Sequence, residues 1–109
     1  MITLEKDKVY KAIHLGVWGR RRDYIIFSPL DDITFDGNHS ITFKTHFTVC
    51  FDGGIMTKDD LDSAITGFDS GCKLVDFNNK DLADVRKAIG LLGNNHHYNR
   101  KLNKVVYGT

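Results

Sequence analysis

Ile41-Thr42-Phe43-Lys44-Thr45-His46-Phe47-Thr48-Val49-Cys50-Phe51 decides the fold class. Ile41, Phe43, Thr45, Phe47, Val49 and Phe51 alternate with Thr42, Lys44, His46, Thr48 and Cys50, and a period of two places alternate side chains on opposite faces of a strand. The reading is a long, half-buried β-strand. Upstream, Asp32-Ile33-Thr34-Phe35 is a second strand. Asp36-Gly37-Asn38 between the two tolerates positive φ, so a hairpin is expected. Val9 to Val17 alternates loosely. Tyr24-Ile25-Ile26-Phe27 is a short, wholly apolar strand closed by Ser28-Pro29. The first half therefore reads as an antiparallel meander of about four strands.

Downstream the period changes. Asp52-Gly53-Gly54 interrupts the long strand. Thr57 precedes Lys58-Asp59-Asp60, the pattern of an N-cap with acids in the first turn. Leu61, Ala64, Ile65 and Phe68 then fall at helical spacing, so a short helix is expected over 58–66. Gly67 and Gly71 follow it. Cys72 to Phe77 is a further strand. Asn78-Asn79 caps a second helix whose apolar stripe is Leu82, Val85, Ile89 and Leu92, stopped by Gly93. Arg86 and Lys87 are read as its C-terminal cations. Val105-Val106-Tyr107 is a candidate last strand. The expected fold is α+β: a meander, then helix, strand, helix and a final strand, with the helices on one face of the sheet.

The 109 residues suit one domain spanning 1–109. Seven Phe and four Tyr with a single Pro are a globular composition. No apolar stretch reaches the length of a membrane span, and the N-terminus lacks the basic-then-apolar order of a signal peptide. Cys50 and Cys72 are expected to be reduced and buried. These features point to the cytoplasm, which includes the cytoplasm of a host cell if the protein is viral.

The net charge of +1 hides three blocks. Residues 1–22 carry six basic and two acidic side chains, residues 23–85 four and twelve, and residues 86–109 five and none. Such sorting suggests an electrostatic footprint at the two chain ends. The alternative is that the basic ends pair with the acidic middle in the folded chain.

Two segments carry the candidate site. Trp18-Gly19-Arg20-Arg21-Arg22 lies between two predicted strands. Its guanidinium groups match phosphate oxygens, and an exposed Trp can stack on a base or anchor a protein interface. Equally, Trp18 can close one end of the core while the Arg are simply solvated. In the tail, His96, His97 and Tyr98 offer rings, Asn94, Asn95, Asn99 and Asn103 offer amide edges, and Arg100, Lys101 and Lys104 offer charge. Cations interleaved with rings and amides suit single-stranded nucleic acid. The competing reading is a solvated basic loop after a helix.

No cofactor or metal site is expected. His14, His39, His46, His96 and His97 include no pair at helical ligand spacing, and there is no Cys-x-x-Cys. No phosphate-binding glycine motif or nucleophile elbow is present. Three functions follow. The first is a non-enzymatic nucleic-acid-binding domain acting through Trp18, Arg20, Arg21, Arg22, His96, His97, Tyr98, Arg100, Lys101 and Lys104. The second is a protein-binding regulator or inhibitor of a host factor, such as a small viral anti-defence protein. The third is a small metal-independent ribonuclease, with His46 and Lys44 meeting His96 or His97 and Tyr98, and His14 facing the same way.

Overall fold

The computed structural model describes residues 1–14, 23–93 and 95–108. Among them are ten strands and one helix: β1 (Ile2–Leu4), β2 (Tyr10–His14), β3 (Tyr24–Pro29), β4 (Ile33–Phe35), β5 (Ile41–Asp52), β6 (Ile55–Leu61), β7 (Ala64–Phe68), β8 (Cys72–Val75), α1 (Asn79–Leu91), β9 (His96–Asn99) and β10 (Lys104–Tyr107). The expected α+β arrangement with two helices is thereby corrected: the chain is mainly antiparallel β with a single helix. No helix among the described residues is long and apolar enough to cross a membrane.

The main sheet runs β6-β5-β3-β2-β8, with β7 pairing the other half of the same β5 edge. β6 and β7 occupy the stretch expected to hold the first helix. Gly53 and Gly54 both have positive φ, and Asp52 lies opposite Ile55. A two-residue loop with two positive φ angles reverses the strand into a tight hairpin. Without that return strand the long edge of β5 would leave its amides and carbonyls unpaired. The helical spacing that suggested otherwise comes from a bulge. Ile41 faces Phe68 but Thr42 faces Thr66, so Gly67, at φ +81°, is the extra residue. One inserted residue turns the chain over, so Ile65 and Phe68, three apart, both reach the core.

β5 itself has a similar break. Ser28 lies opposite Phe47 but Pro29 lies opposite Thr45, leaving His46 without a partner on β3. The apolar stripe of β5 therefore changes face at His46. Phe43 packs with Leu4, Ala12, Ile25, Phe27, Phe35, Ile65 and Phe68 on one side of the sheet. Phe47, Val49 and Phe51 pack with Val9, Ile26, Val85, Ala88, Ile89 and Val105 on the other.

Each face has its own cover. β1 pairs β4 in a separate ribbon over the first core. The expected hairpin between Asp32–Phe35 and Ile41–Phe51 is thus corrected: the strand exists, but its partner is Ile2–Leu4. The second core is covered by α1 and by the β9–β10 hairpin. The expected last strand is present as β10 and pairs with β9. α1 begins as expected, with a reciprocal cap in which Asn78 Oδ1 accepts from Asp81 N at 2.9 Å and Asp81 Oδ2 accepts from Asn78 N at 2.8 Å. It ends at Leu91, just before the expected Gly93 stop, but Arg86 and Lys87, read as its C-terminal cations, lie in mid-helix and the last turn carries no cation.

Candidate nucleic-acid interface

The β9–β10 hairpin is built by its asparagines. The Asn99 side chain accepts from Leu102 N at 3.1 Å, and Asn103 takes φ +53° with its N–H on Arg100 O at 3.2 Å. Asn tolerates that left-handed conformation better than most residues. The Asn103 amide also donates to Val9 O at 2.8 Å and accepts from Tyr98 Oη at 2.6 Å. Asn99 and Asn103 are therefore committed to shaping the hairpin and docking it.

Docking makes a third strand of the N-terminal segment. Val9 N donates to Asn103 O at 3.0 Å, Val105 N donates to Asp7 O at 2.8 Å, and Lys8 bridges Lys104. Directly opposed residues point to the same side. Tyr98 opposes Val105 and His96 opposes Tyr107, and this pairing faces the second core. Asn99 opposes Lys104 and His97 opposes Val106, on the outward side. Lys8, Lys104 and Asn99 thus form one row across three strands, with His97 and Val106 in a neighbouring row. Arg100 and Lys101 stand exposed at the turn.

Like charges in adjacent strands repel. Lys8 has partial relief from Glu5 at 3.8 Å. Among the described residues, Arg86, Arg100, Lys101 and Lys104 form no ion pair. The expectation that the acidic middle might neutralise the tail is not met there: Asp60 pairs with Lys58, Asp36 with His39 and Asp81 with Lys11. The field of the free cations is felt at Tyr98. Burial pushes its phenol up, while Arg86 and Arg100 pull it back down.

Beside the hairpin, Arg86, Ile89 and Gly90 of α1 meet His96, His97 and Tyr98 around an open hollow of about 260 Å³. His96 Nδ1 is buried there without a hydrogen-bond partner. Such an orphan is uncommon in folded proteins and calls for an explanation. The ring of His96 packs edge-on against Tyr107, centroids 5.1 Å apart.

The sequence-predicted residues are thus divided. His96, His97, Tyr98, Arg100, Lys101 and Lys104 are gathered on one hairpin. Trp18, Arg20, Arg21 and Arg22 lie outside the described residues. His14, which precedes their segment, is at the end of β2 where it faces Cys72, whereas Lys8 and Lys104 lie beyond the opposite end of that strand. Sequence reasoning missed Lys8 and Arg86. Only the register and the docking of α1 bring them to the tail, and no local signal marks them.

Of the histidines considered for a ribonuclease, His46 and His96 flank Tyr107 while His14 lies apart. His46 is buried, its Nε2 2.8 Å from Asp7 Oδ1 and also bonded to Tyr107 Oη, which itself donates to Asp7 Oδ1 at 2.6 Å. Lys44 is on the exposed side of β5. His14 pairs with Asp69 at 3.1 Å. Tyr107 stands between His46 and His96, its ring in contact with both. The chain matches no protein-family model, and no match to a curated protein or a solved structure reaches significance.

Proposed function

We propose that the protein is a non-enzymatic nucleic-acid-binding domain that grips a single strand on the β9–β10 hairpin. The observation that carries this reading is the row Lys8–Lys104–Asn99, in which cations from the two ends of the chain stand side by side. Phosphates bind Lys8, Arg100, Lys101 and Lys104. A base enters the hollow beside Arg86 and stacks on His97.

A fluorescently labelled single-stranded RNA or DNA oligomer, titrated by anisotropy across a salt series, tests it. Each single-strand phosphate contact contributes about 0.7 to the slope of log affinity against log salt. The K8Q/K104Q double variant is expected to weaken binding to all sequences alike and to flatten the slope by about 1.4. Absence of binding at low salt, or an unchanged slope, refutes the reading.

A second reading is supported by β6. This edge strand exposes Ile55 and Leu61, 71% and 41% accessible, beside Asp59 and Asp60. An unpaired edge can accept a strand from another protein, as a protein-binding regulator or inhibitor would require. Capture of a partner that survives nuclease treatment and is lost in Ile55→Lys favours it over the first.

A further inference from the structure

At the other end of β2 three side chains of different chemistry converge. His14 and Cys72 are directly opposed residues of β2 and β8, so their side chains leave the sheet on the same face. Asp69 joins them through a tight turn: Cys72 N donates to Asp69 O at 3.0 Å, closing Asp69-Ser70-Gly71-Cys72. One nitrogen of His14, one oxygen of Asp69 and the Cys72 sulfur all lie within 4.8 Å of one another.

We propose that His14 Nε2, an Asp69 carboxylate oxygen and Cys72 Sγ form a zinc-binding site. Bond lengths of 2.0–2.3 Å in a tetrahedral site put ligand atoms roughly 3.3–3.6 Å apart. His14 Nε2 and Asp69 Oδ1, hydrogen-bonded at 3.1 Å, are slightly closer than that spacing and need only part a little to admit the ion. The Cys72 sulfur, within 4.8 Å of both, needs to approach by no more than about 1.5 Å. A thiolate, an imidazole and one carboxylate form a donor set that selects zinc over magnesium or calcium, which take oxygen ligands.

The surroundings are shaped for this cluster. A Cβ on Gly71 would lie 2.9 Å from His14 Cε1 and 3.1 Å from Asp69 Oδ1, so a side chain there would displace the ligands. Gly71 N donates to Asp69 Oδ1 at 2.8 Å and orients the carboxylate, as outer-shell donors do at metal sites. His14 and Cys72 are both more than nine-tenths buried, which limits competition from water.

Binding replaces the proton on Cys72 Sγ by the metal and releases that proton to solvent. The proton in the His14 Nε2–Asp69 Oδ1 hydrogen bond must leave as well: in the neutral imidazole it is exchanged through solvent to Nδ1, which frees the Nε2 lone pair for the metal. Three protein ligands leave the fourth tetrahedral position for water or another small ligand. The ion would clamp the edge strand β8 to the end of β2.

Cobalt(II) titrated into the full chain under a non-thiol reductant is the test. One equivalent should produce a thiolate-to-cobalt charge-transfer band, which zinc then abolishes by displacement. The band should persist in C50S and vanish in C72S, and zinc affinity should fall at least about tenfold in D69N, the low end of what even an outer-shell partner contributes. Absence of the band in the native chain, or its survival in C72S, overturns the site. Should C72S fail to fold, D69N decides, since Asp69 is only partly buried: unchanged zinc affinity in that variant overturns the proposal.

Discussion

The imidazole of His46 occupies the position where β5 has one residue more than β3 opposite it. An unpaired bulge residue is free to aim its side chain out of the strand's regular alternation. Here it reaches Asp7, itself at φ +67°, and Tyr107 on β10. Three distant parts of the chain are tied by one polar cluster, buried at His46 and open to solvent at Tyr107. Burial first, and then the hydrogen bond to Asp7 and its charge, push the Tyr107 phenol far above the ordinary tyrosine range. A folded-state pKa raised in this way contributes stability that is complete below about pH 10, the unfolded value, and is lost as pH rises from there. Burial shifts Tyr10, Tyr24 and Tyr98 in the same direction. Tyr107→Phe should therefore be less stable than the native chain at neutral pH, by about 1 kcal/mol for the lost hydrogen bond. Its alkaline loss should be shallower but not absent. Urea unfolding at neutral pH and again above the tyrosine range checks both; equal alkaline slopes would remove Tyr107 from this account.

At the scale of elements, two helix starts are written in similar residues and one is real. Asn78 makes a reciprocal cap with Asp81, and Asp81, fully buried, also receives Lys11 Nζ at 2.9 Å. Thr57 instead sits in β6, where its hydroxyl donates to Cys50 O at 3.3 Å on an exposed edge. The two sites should respond differently to the same truncation. Asn78→Ala should cost about 1 kcal/mol, as a lost N-cap does. Thr57→Ala should fall within about 0.5 kcal/mol of the native chain, as exposed positions do. Denaturant midpoints at constant m measure the contrast, and a Thr57→Ala cost matching that of Asn78→Ala would contradict β6. The acids around Thr57 have a different use from the one their order suggested. Lys58, Asp59 and Asp60 place charge along an edge strand, which discourages indiscriminate pairing and leaves the edge to a partner of complementary charge.

For the whole molecule, the sheet carries a core on each face. Tyr24-Ile25-Ile26-Phe27 has no polar side because it has no solvent side: Ile25 and Phe27 lie in one cluster, Ile26 and Tyr24 in the other. Phe27 and Phe47, both fully buried, belong to different clusters. Phe27→Ala and Phe47→Ala should each cost about 3–5 kcal/mol, the usual range for emptying a buried aromatic site. Thermal and urea unfolding of the two variants measures this, and a cost below about 1 kcal/mol in either would mean its face is not a packed core. Charge is also resolved at this scale. The N-terminal basic block divides, with Lys8 joining the C-terminal tail while Lys11 is drawn to Asp81.

Much of the fold was legible wherever local chemistry acts alone. The alternation of β5, the apolar run of β3, the Asn78 cap and the Gly93 stop depend on neighbours a few residues away, and each marks an element that is present. Gly53-Gly54 was a hairpin signal of the same kind, masked by the helical spacing after it. The candidate hairpin was legible in its composition, from His96 to Lys104, but not in its partners. What only the tertiary structure decided is pairing: that β4 takes β1, that Lys8 meets Lys104, and that His14 meets Asp69 and Cys72. The physical reason is that a single inserted residue, at His46 or at Gly67, turns every later side chain to the other face. A bulge forms when distant strands gain more by pairing in a shifted register than the local ladder loses, and that balance is not encoded in any short stretch of residues.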